Sequence, residues 1–297
     1  MESALTLSGP IDLRDAPARV PALPRRRQTL PGLSLTLGFA LLYLSILVLI
    51  PLCALVIKAS GMSWEAFVSA VSSPRVLASY RLSLGAAGLG ALINLVAGTA
   101  LAWVLVRYEF PGRKLLDALV DLPIALPTAV AGISLAALYA PKGLLGAPLA
   151  EWGIKLAFNP WGVVLALTFI GLPFVVRTVQ PVLEDMDSAL EEAAAMLGAN
   201  ARQRFTRVIL PTLAPALVTG VTLALARGVG EYGSVIFIAG NLPGVSEIAP
   251  LMIVGKLEQY DYAGASAIAL VLLGISLLLL LVGNSLQWWL ARRGRAR

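Results

Sequence analysis

Glu191 and Glu192 open a polar segment that runs Glu191-Glu-Ala-Ala-Ala-Met-Leu-Gly198-Ala-Asn-Ala-Arg-Gln-Arg-Phe-Thr-Arg-Val-Ile-Leu-Pro211, and Arg227 and Glu231 stand four residues apart inside an apolar run. Each member of the second pair costs about 2.5–3.5 kcal/mol at the centre of a bilayer, so both must face protein or water rather than lipid. One helical turn apart, they form either an ion pair that anchors their helix or a charged group on a polar route. There is no histidine, and Cys53 is the one cysteine. Imidazole bases, zinc clusters and intrachain disulfides are therefore excluded. Cys53, inside an apolar run, is expected to be a small buried hydrophobe rather than a reactive thiol. A membrane-embedded enzyme would need a cluster of acid–base groups or metal ligands, and none is visible. Gly255-Lys256 is followed by Leu257, so no Gly-x-x-x-x-Gly-Lys-Ser/Thr phosphate loop is present.

The elements that position these residues are apolar and long. The chain is 58% hydrophobic and only 13% charged, with a mean hydropathy of +0.82. Soluble chains carry about 45–50% apolar and about 25% charged residues, so this one belongs in a bilayer. Six stretches are long enough to cross: Leu33 to Ile57, Leu82 to Val106, Leu116 to Tyr139, Trp161 to Val182, Thr212 to Ala239 and Gly264 to Leu290. None alternates polar and apolar as a barrel strand does. The fold expected is all-α and integral to the membrane, with one permease-sized domain over 34–290, a flexible tail over 1–33 and a basic end over 291–297. The first run exceeds the length of a cleavable signal and reads as an uncleaved span.

Lysine and arginine set the orientation. With the N-terminus inside, sixteen of them fall on the cytoplasmic side and six (Lys58, Arg75, Arg81, Lys142, Lys155 and Lys256) on the other, while Arg227 lies within span five. The bias satisfies the positive-inside rule and places both termini in the cytoplasm. The net charge of +6 serves topology and implies no nucleic acid. Within the spans, Pro123 and Pro127 interrupt the third, favouring a kink or partly unwound stretch. Small residues at Gly85, Gly88, Gly90, Ala97, Gly98 and Ala102 suit close helix packing in the second. Thr128, Asn241 and Asn94 either line a route through the membrane or bond to neighbouring helices.

The 187–211 segment lies between spans four and five. Asp187 or Ser188 can cap a helix that carries Glu191 and Glu192 in or near its first turn, and Gly198 ends it. Arg202, Arg204 and Arg207 follow at the membrane surface, where they can hold anionic headgroups. The spacing resembles the EAA loop of ATP-binding-cassette importer permeases: Glu-Ala-Ala, three residues, Gly, nine residues, then Ile-x-Leu-Pro. Glu192, Ala193, Ala194, Gly198, Leu210 and Pro211 match, and Val208 replaces the usual isoleucine. In that family the loop is a cytoplasmic coupling helix seated in a cleft of a separate ATPase. The resemblance therefore implies an ATPase-coupling set of Glu191, Glu192, Ala193, Ala194, Gly198, Val208, Leu210 and Pro211, with six transmembrane helices around it.

From Leu30 to about Gln287 the chain further resembles the T subunit of bacterial sulfate/thiosulfate importers. The likeness lies in Arg107-Tyr-Glu-Phe-Pro-Gly-Arg113, Leu115-Leu-Asp-Ala-Leu-Val-Asp-Leu-Pro123, Leu126-Pro-Thr-Ala-Val-Ala-Gly132, Pro173-Phe-Val-Val-Arg-Thr-Val-Gln-Pro181, Gly230-Glu-Tyr-Gly233, Val235-Ile-Phe-Ile-Ala-Gly-Asn241 and Tyr260-Asp-Tyr262. Related molybdate permeases share the EAA loop but are shorter, which leaves molybdate, tungstate or another oxyanion as the alternative cargo. The resemblance implies a heterodimer with a homologous W-type permease in the bacterial inner membrane. It also implies two ATPase copies and a periplasmic sulfate- or thiosulfate-binding protein. ATP and Mg would sit on the ATPase, and no cofactor on this chain. A dianion entering against 100 mV, inside negative, costs about 4.6 kcal/mol, so uptake must be driven. On this reading Arg227 gives the route a positive field that Glu231 positions, and Thr128 and Asn241 are further candidates for its lining. A channel or a secondary transporter acting alone would have no use for a docking loop.

The purified chain by itself should show no ATP hydrolysis above a buffer blank in a phosphate-release assay. Robust turnover by the chain alone would overturn the reading of a separate ATPase.

Overall fold

The computed structural model describes residues 32–295. The expected tail therefore lies almost wholly outside the described residues, as do the last two residues of the basic end. Among these residues thirteen helices run in the order α1 (Leu35–Ser60), α2 (Trp64–Ser72), α3 (Pro74–Arg107), α4 (Arg113–Val120), α5 (Leu122–Ala125), α6 (Thr128–Tyr139), α7 (Gly146–Glu151), α8 (Pro160–Glu184), α9 (Ser188–Met196), α10 (Ala201–Val229), α11 (Val235–Ile238), α12 (Ala249–Glu258) and α13 (Tyr262–Arg295). No strand occurs among the described residues. Polar residues start the helices: Ser63, Ser73, Asn159 and Asp187 each accept a backbone N–H at the head of α2, α3, α8 and α9. Asn200 and Gln203 form a reciprocal capping box at α10.

The chain divides into two compact units, Met1–Pro51 and Leu52–Arg297. The described part of the first is the opening of α1, whose large apolar side chains, Leu35, Phe39, Tyr43 and Leu47 among them, are exposed. Cys53, expected to be buried, is also exposed. Its position on an apolar span supplies the reason, since hydrocarbon and not water is the solvent that such a side chain meets.

Among the described residues five helices are long and apolar enough to cross a membrane: α1, α3, α8, α10 and α13. The third expected span, Leu116 to Tyr139, is not one helix. It is divided into α4, α5 and α6, of which only the 12-residue α6 is a sustained apolar helix. The prolines cause the break. Pro123 sits in the first turn of α5, and Leu126, ahead of Pro127, takes an extended backbone (φ −78°, ψ 139°) that ends the helix. Span five also differs from expectation. Its helix begins at Ala201, passes straight through Pro211 and Pro215, and stops at Val229, leaving Glu231 in a turn. A π turn over Phe205–Ile209 precedes Pro211, as another over Ser45–Leu49 precedes Pro51. Widening the helix there accommodates a ring that cannot donate a hydrogen bond and would press on the carbonyl four residues back.

In the second unit, α8 is the most buried span and packs against both α3 and α10. One apolar cluster gathers Val76, Tyr80, Val163, Leu167, Val235, Ile238 and Ile268; another gathers Leu105, Val175, Val176, Val179, Leu213 and Leu217. Helices in lipid gain little from apolar burial and rely on close fit. At Gly220 of α10 the fit is so close that a Cβ would lie 2.9 Å from the Val175 Cα and 2.4 Å from Thr178 Oγ1.

Gly220→Leu should therefore lower the stability of the chain in detergent by about 3 kcal/mol, the upper range for overpacking. Gly274→Leu, at a site where a Cβ meets nothing within 4 Å, serves as the control. Thermal midpoints that fall equally for both variants would refute the assigned α8–α10 contact.

Candidate functional site

Two places hold the residues singled out by sequence, and they are physically distinct. The first is α9. Asp187 Oδ1 accepts the Ala189 N–H at 2.9 Å. After Met196 the chain reverses through Gly198 at φ +83°, with Ala199 N–H donating to the Ala194 carbonyl at 3.0 Å. A residue with a Cβ is disfavoured in that left-handed conformation, so the glycine has a geometric cause. Glu192, Ala193 and Gly198 are exposed, Glu191 and Ala194 half-buried. Met196 and Leu197 are 89% exposed each, an apolar tip with no cover from this chain. Val208 lies half-buried in the π turn, and Leu210 and Pro211 are exposed at the start of the continuing helix.

The second place is the turn that follows α10. Arg227 Nη1 and Glu231 Oε2 are 2.5 Å apart, and Glu231 Oε1 accepts both the backbone N–H and the hydroxyl of Ser234 at 3.0 Å. The carboxylate is almost completely buried at 2% exposure, while the Arg227 side chain is 37% exposed. Arg227 also sits in the last turn of α10, where a cation complements the helix dipole. Of the two arrangements open from sequence, the direct ion pair is the one formed.

The turn is pressed against the head of α6. A Cβ on Gly233 would meet Thr128 Oγ1 at 2.2 Å, and one on Gly132 would meet the Ser234 carbonyl oxygen at 2.2 Å. Thr128 is thus brought to the charged turn. Asn241 is occupied differently: at φ +51° its Nδ2 donates to the Ile236 carbonyl at 2.8 Å and closes the end of α11. Asn94, fully buried, donates to the Thr168 carbonyl at 2.9 Å and ties α3 to α8.

Two arginines do more than sequence reasoning assigned to them. Arg177 of α8 uses all five of its N–H donors: two on the Asp121 carboxylate at 2.6 and 2.8 Å, one on Asp117 Oδ1 at 2.6 Å, one on the Asp117 carbonyl at 2.8 Å and one on Gln180 Oε1 at 2.7 Å. It fastens the broken segment to the central helix. The signal available was the i, i+4 spacing of Asp117 and Asp121, which puts both carboxylates on one face. Arg107, counted only as a topological charge, forms an ion pair with Glu191.

The opposite end of the second unit carries a cavity of about 610 Å³ whose mixed lining includes Met62, Val76 and Met252 beside Arg75, Glu247, Lys256 and Asp261. Its charges are matched. Arg75 grips both oxygens of Glu247 at 2.7 Å. The Lys256 ammonium, aided by the Gly264 N–H, holds the Asp261 carboxyl below its usual range. Among the described residues no group of three or more His, Cys, Asp and Glu side chains could hold a metal.

Among the described residues, five helices of membrane-crossing length, a short exposed helix and an ion pair with a buried carboxylate make up the architecture of a polytopic membrane protein. The chain belongs to the family of binding-protein-dependent transport system inner membrane components, whose model matches residues 94–296. It is 50% identical over 267 residues to the sulfate transport system permease protein CysT of Salmonella typhimurium, covering 90% of this chain and 96% of that one. The CysT protein of Escherichia coli is 49% identical with the same coverage. Among solved structures, a bacterial alginate ABC transporter in complex with an alginate pentasaccharide-bound periplasmic protein aligns with a TM-score of 0.71 at 19% identity, over 85% of this chain and 92% of that one. The MetNI methionine ABC transporter, in an inward-facing conformation, aligns at 0.54 and 19% identity over 77% and 99%. At such identity these two establish the fold alone.

Glu231→Ala strands Arg227 and the Ser234 N–H together. Removing one partner of a buried pair costs about 3–5 kcal/mol, and the exposure of Arg227 reduces that to about 2 kcal/mol. The thermal midpoint in detergent should fall accordingly, and an unchanged midpoint would show that the pair anchors nothing.

Proposed function

We propose that this chain is the membrane-spanning permease subunit of an ATP-driven importer that carries sulfate, and thiosulfate with it, into the cytoplasm. The observation that carries this reading is the identity of about one half, over nine-tenths of the chain, with proteins named as sulfate transport permeases. The broken α4–α6 segment serves as a sixth crossing, so that both termini face the cytoplasm of a bacterial inner membrane, in line with the lysine and arginine bias. Non-helical backbone at membrane depth is tolerated where protein or water meets it, and the Arg177 clamp fastens the start of this segment to α8.

In this reading α9 is the coupling helix. Its exposed tip, Met196 and Leu197 beside Glu192, has the mixed apolar and charged character of a docking surface, and a separate ATPase is the partner that covers it. Two ATPase copies, a homologous W-type permease and a periplasmic oxyanion-binding protein complete the assembly. ATP and Mg belong to the ATPase copies. Along the route, Arg227 is at once anchor and positive edge. Its partner carboxylate is buried while its own side chain keeps part of its exposure and can meet a passing dianion, with Thr128 beside the same turn. Discrimination among oxyanions rests with the binding protein, because the interior has one guanidinium to offer in place of a full cage of donors.

The test is uptake of labelled sulfate by vesicles that contain this chain, its membrane partner and the ATPase, supplied with binding protein and with thiosulfate and molybdate as competitors. Saturable, ATP-dependent sulfate uptake that Glu192→Arg reduces at least about tenfold, equivalent to about 1.4 kcal/mol of lost coupling, is the expected result. ATP-dependent uptake of another solute alone would overturn the cargo, and uptake without the ATPase would overturn the importer.

A further inference from the structure

The coupling segment is held at both of its ends by one face of one helix. Trp103 and Arg107 are four residues apart in the last turns of α3, so their side chains lie one above the other. The Arg107 guanidinium donates to the Glu191 carboxylate in the first turn of α9. It also reaches Met186 Sδ at 3.8 Å and lies 5.1 Å from the centre of the Trp103 ring. Trp103 in turn meets Phe205 edge to face, with ring centres 6.0 Å apart. Phe205 opens the π turn through which the segment rejoins the bundle. Entry and exit of the segment are thus both tied to α3.

Burial divides the two adjacent glutamates. Arg107 and Glu191 are 26% and 20% exposed, a pair shielded on most sides, whereas Glu192 faces solvent with Ala195, Met196 and Leu197. A carboxylate already engaged with a stacked guanidinium is poorly placed to serve an outside partner, and its neighbour is free to do so. From α3 the contact continues inward: a Cβ on Gly98 would lie 3.0 Å from Val175 Cβ of α8. A displacement of α9 therefore has a direct mechanical route to the centre of the bundle, through a pair of elements that can be separated only by breaking an ion pair and an aromatic contact.

We infer that Trp103, Arg107, Glu191 and Phe205 form an internal clamp that makes α3 move with α9. Arg107 and Glu191 are positioning residues, and of the two glutamates Glu192 alone is the contact with the ATPase. This rests on the coupling-helix reading of α9 given above.

The test uses the complete importer in vesicles and separates two quantities: the ATPase concentration that gives half-maximal assembly, and the sulfate taken up per ATP hydrolysed. Glu192→Gln should raise the first. Arg107→Gln and Glu191→Gln should leave the first near wild type and lower the second about fivefold, the low end of typical coupling between sites. The double variant should be no worse than either single one, because one interaction can be lost only once. Arg107→Lys, which keeps the charge, should recover part of the loss. Phe205→Leu, which cuts the other tie without touching a charge, should show the same signature and covers the case in which an Arg107 variant does not assemble. Normal uptake per ATP in Arg107→Gln and Phe205→Leu overturns the clamp. So does a Glu191→Gln variant that raises the assembly concentration as Glu192→Gln does. If Glu192→Gln changes neither quantity, the coupling-helix reading itself fails, and the clamp with it.

Discussion

Hydrocarbon offers no partner for a backbone N–H or carbonyl, and the whole arrangement follows from that constraint. Long helices satisfy their own backbones, which is why α1, α3, α8, α10 and α13 carry most of the chain across. Where the helical ladder is broken, at Pro123 and Pro127, the freed groups must lie against protein. Arg177 provides the binding there with a guanidinium whose donors are all used, one of them on the Asp117 backbone carbonyl. Apolar burial gives little drive for association in lipid, so contact depends on how near two backbones can come. The approaches at Gly220 and Gly132 are closer than any Cβ permits.

Charge obeys the same economy. Inside a bundle an unpaired ion is expensive, and the pair Arg227–Glu231 is completed by the two Ser234 donors on the far carboxylate oxygen. Neutralisation is local and incomplete in a useful sense. The carboxylate is enclosed while the Arg227 side chain keeps part of its exposure, so the pair turns its positive member outward.

Much of this was legible in the amino acids because apolar length and proline position report directly on the backbone. The Glu192 to Pro211 spacing and the glycine at 198 were readable for the same reason: a left-handed turn and a helix start each demand particular residue types. The break in the third span was legible from Pro123 and Pro127, whereas hydropathy over Leu116 to Tyr139 does not register that the segment divides into three helices. The helix of span five begins well before its apolar run at Thr212, because a π turn lets it pass through Pro211. Arg107 escaped notice as a clamp because its partner is 84 residues away, and no local pattern encodes a contact of that range. Cys53 is exposed and not buried, as an apolar span allows a small apolar side chain to be where hydrocarbon replaces water.

The lengths of α3 and α13 carry a consequence of another kind. Each has 34 residues, which at 1.5 Å per residue gives about 51 Å, against a hydrocarbon slab of about 30 Å. Such helices lean or protrude, and the lean adjusts when the bilayer thins or thickens. Acyl-chain length is thereby a mechanical input to the protein. A bilayer of shorter lipids leaves more of α3 to lean or to stand outside the hydrocarbon, at the end that carries Trp103 and Arg107.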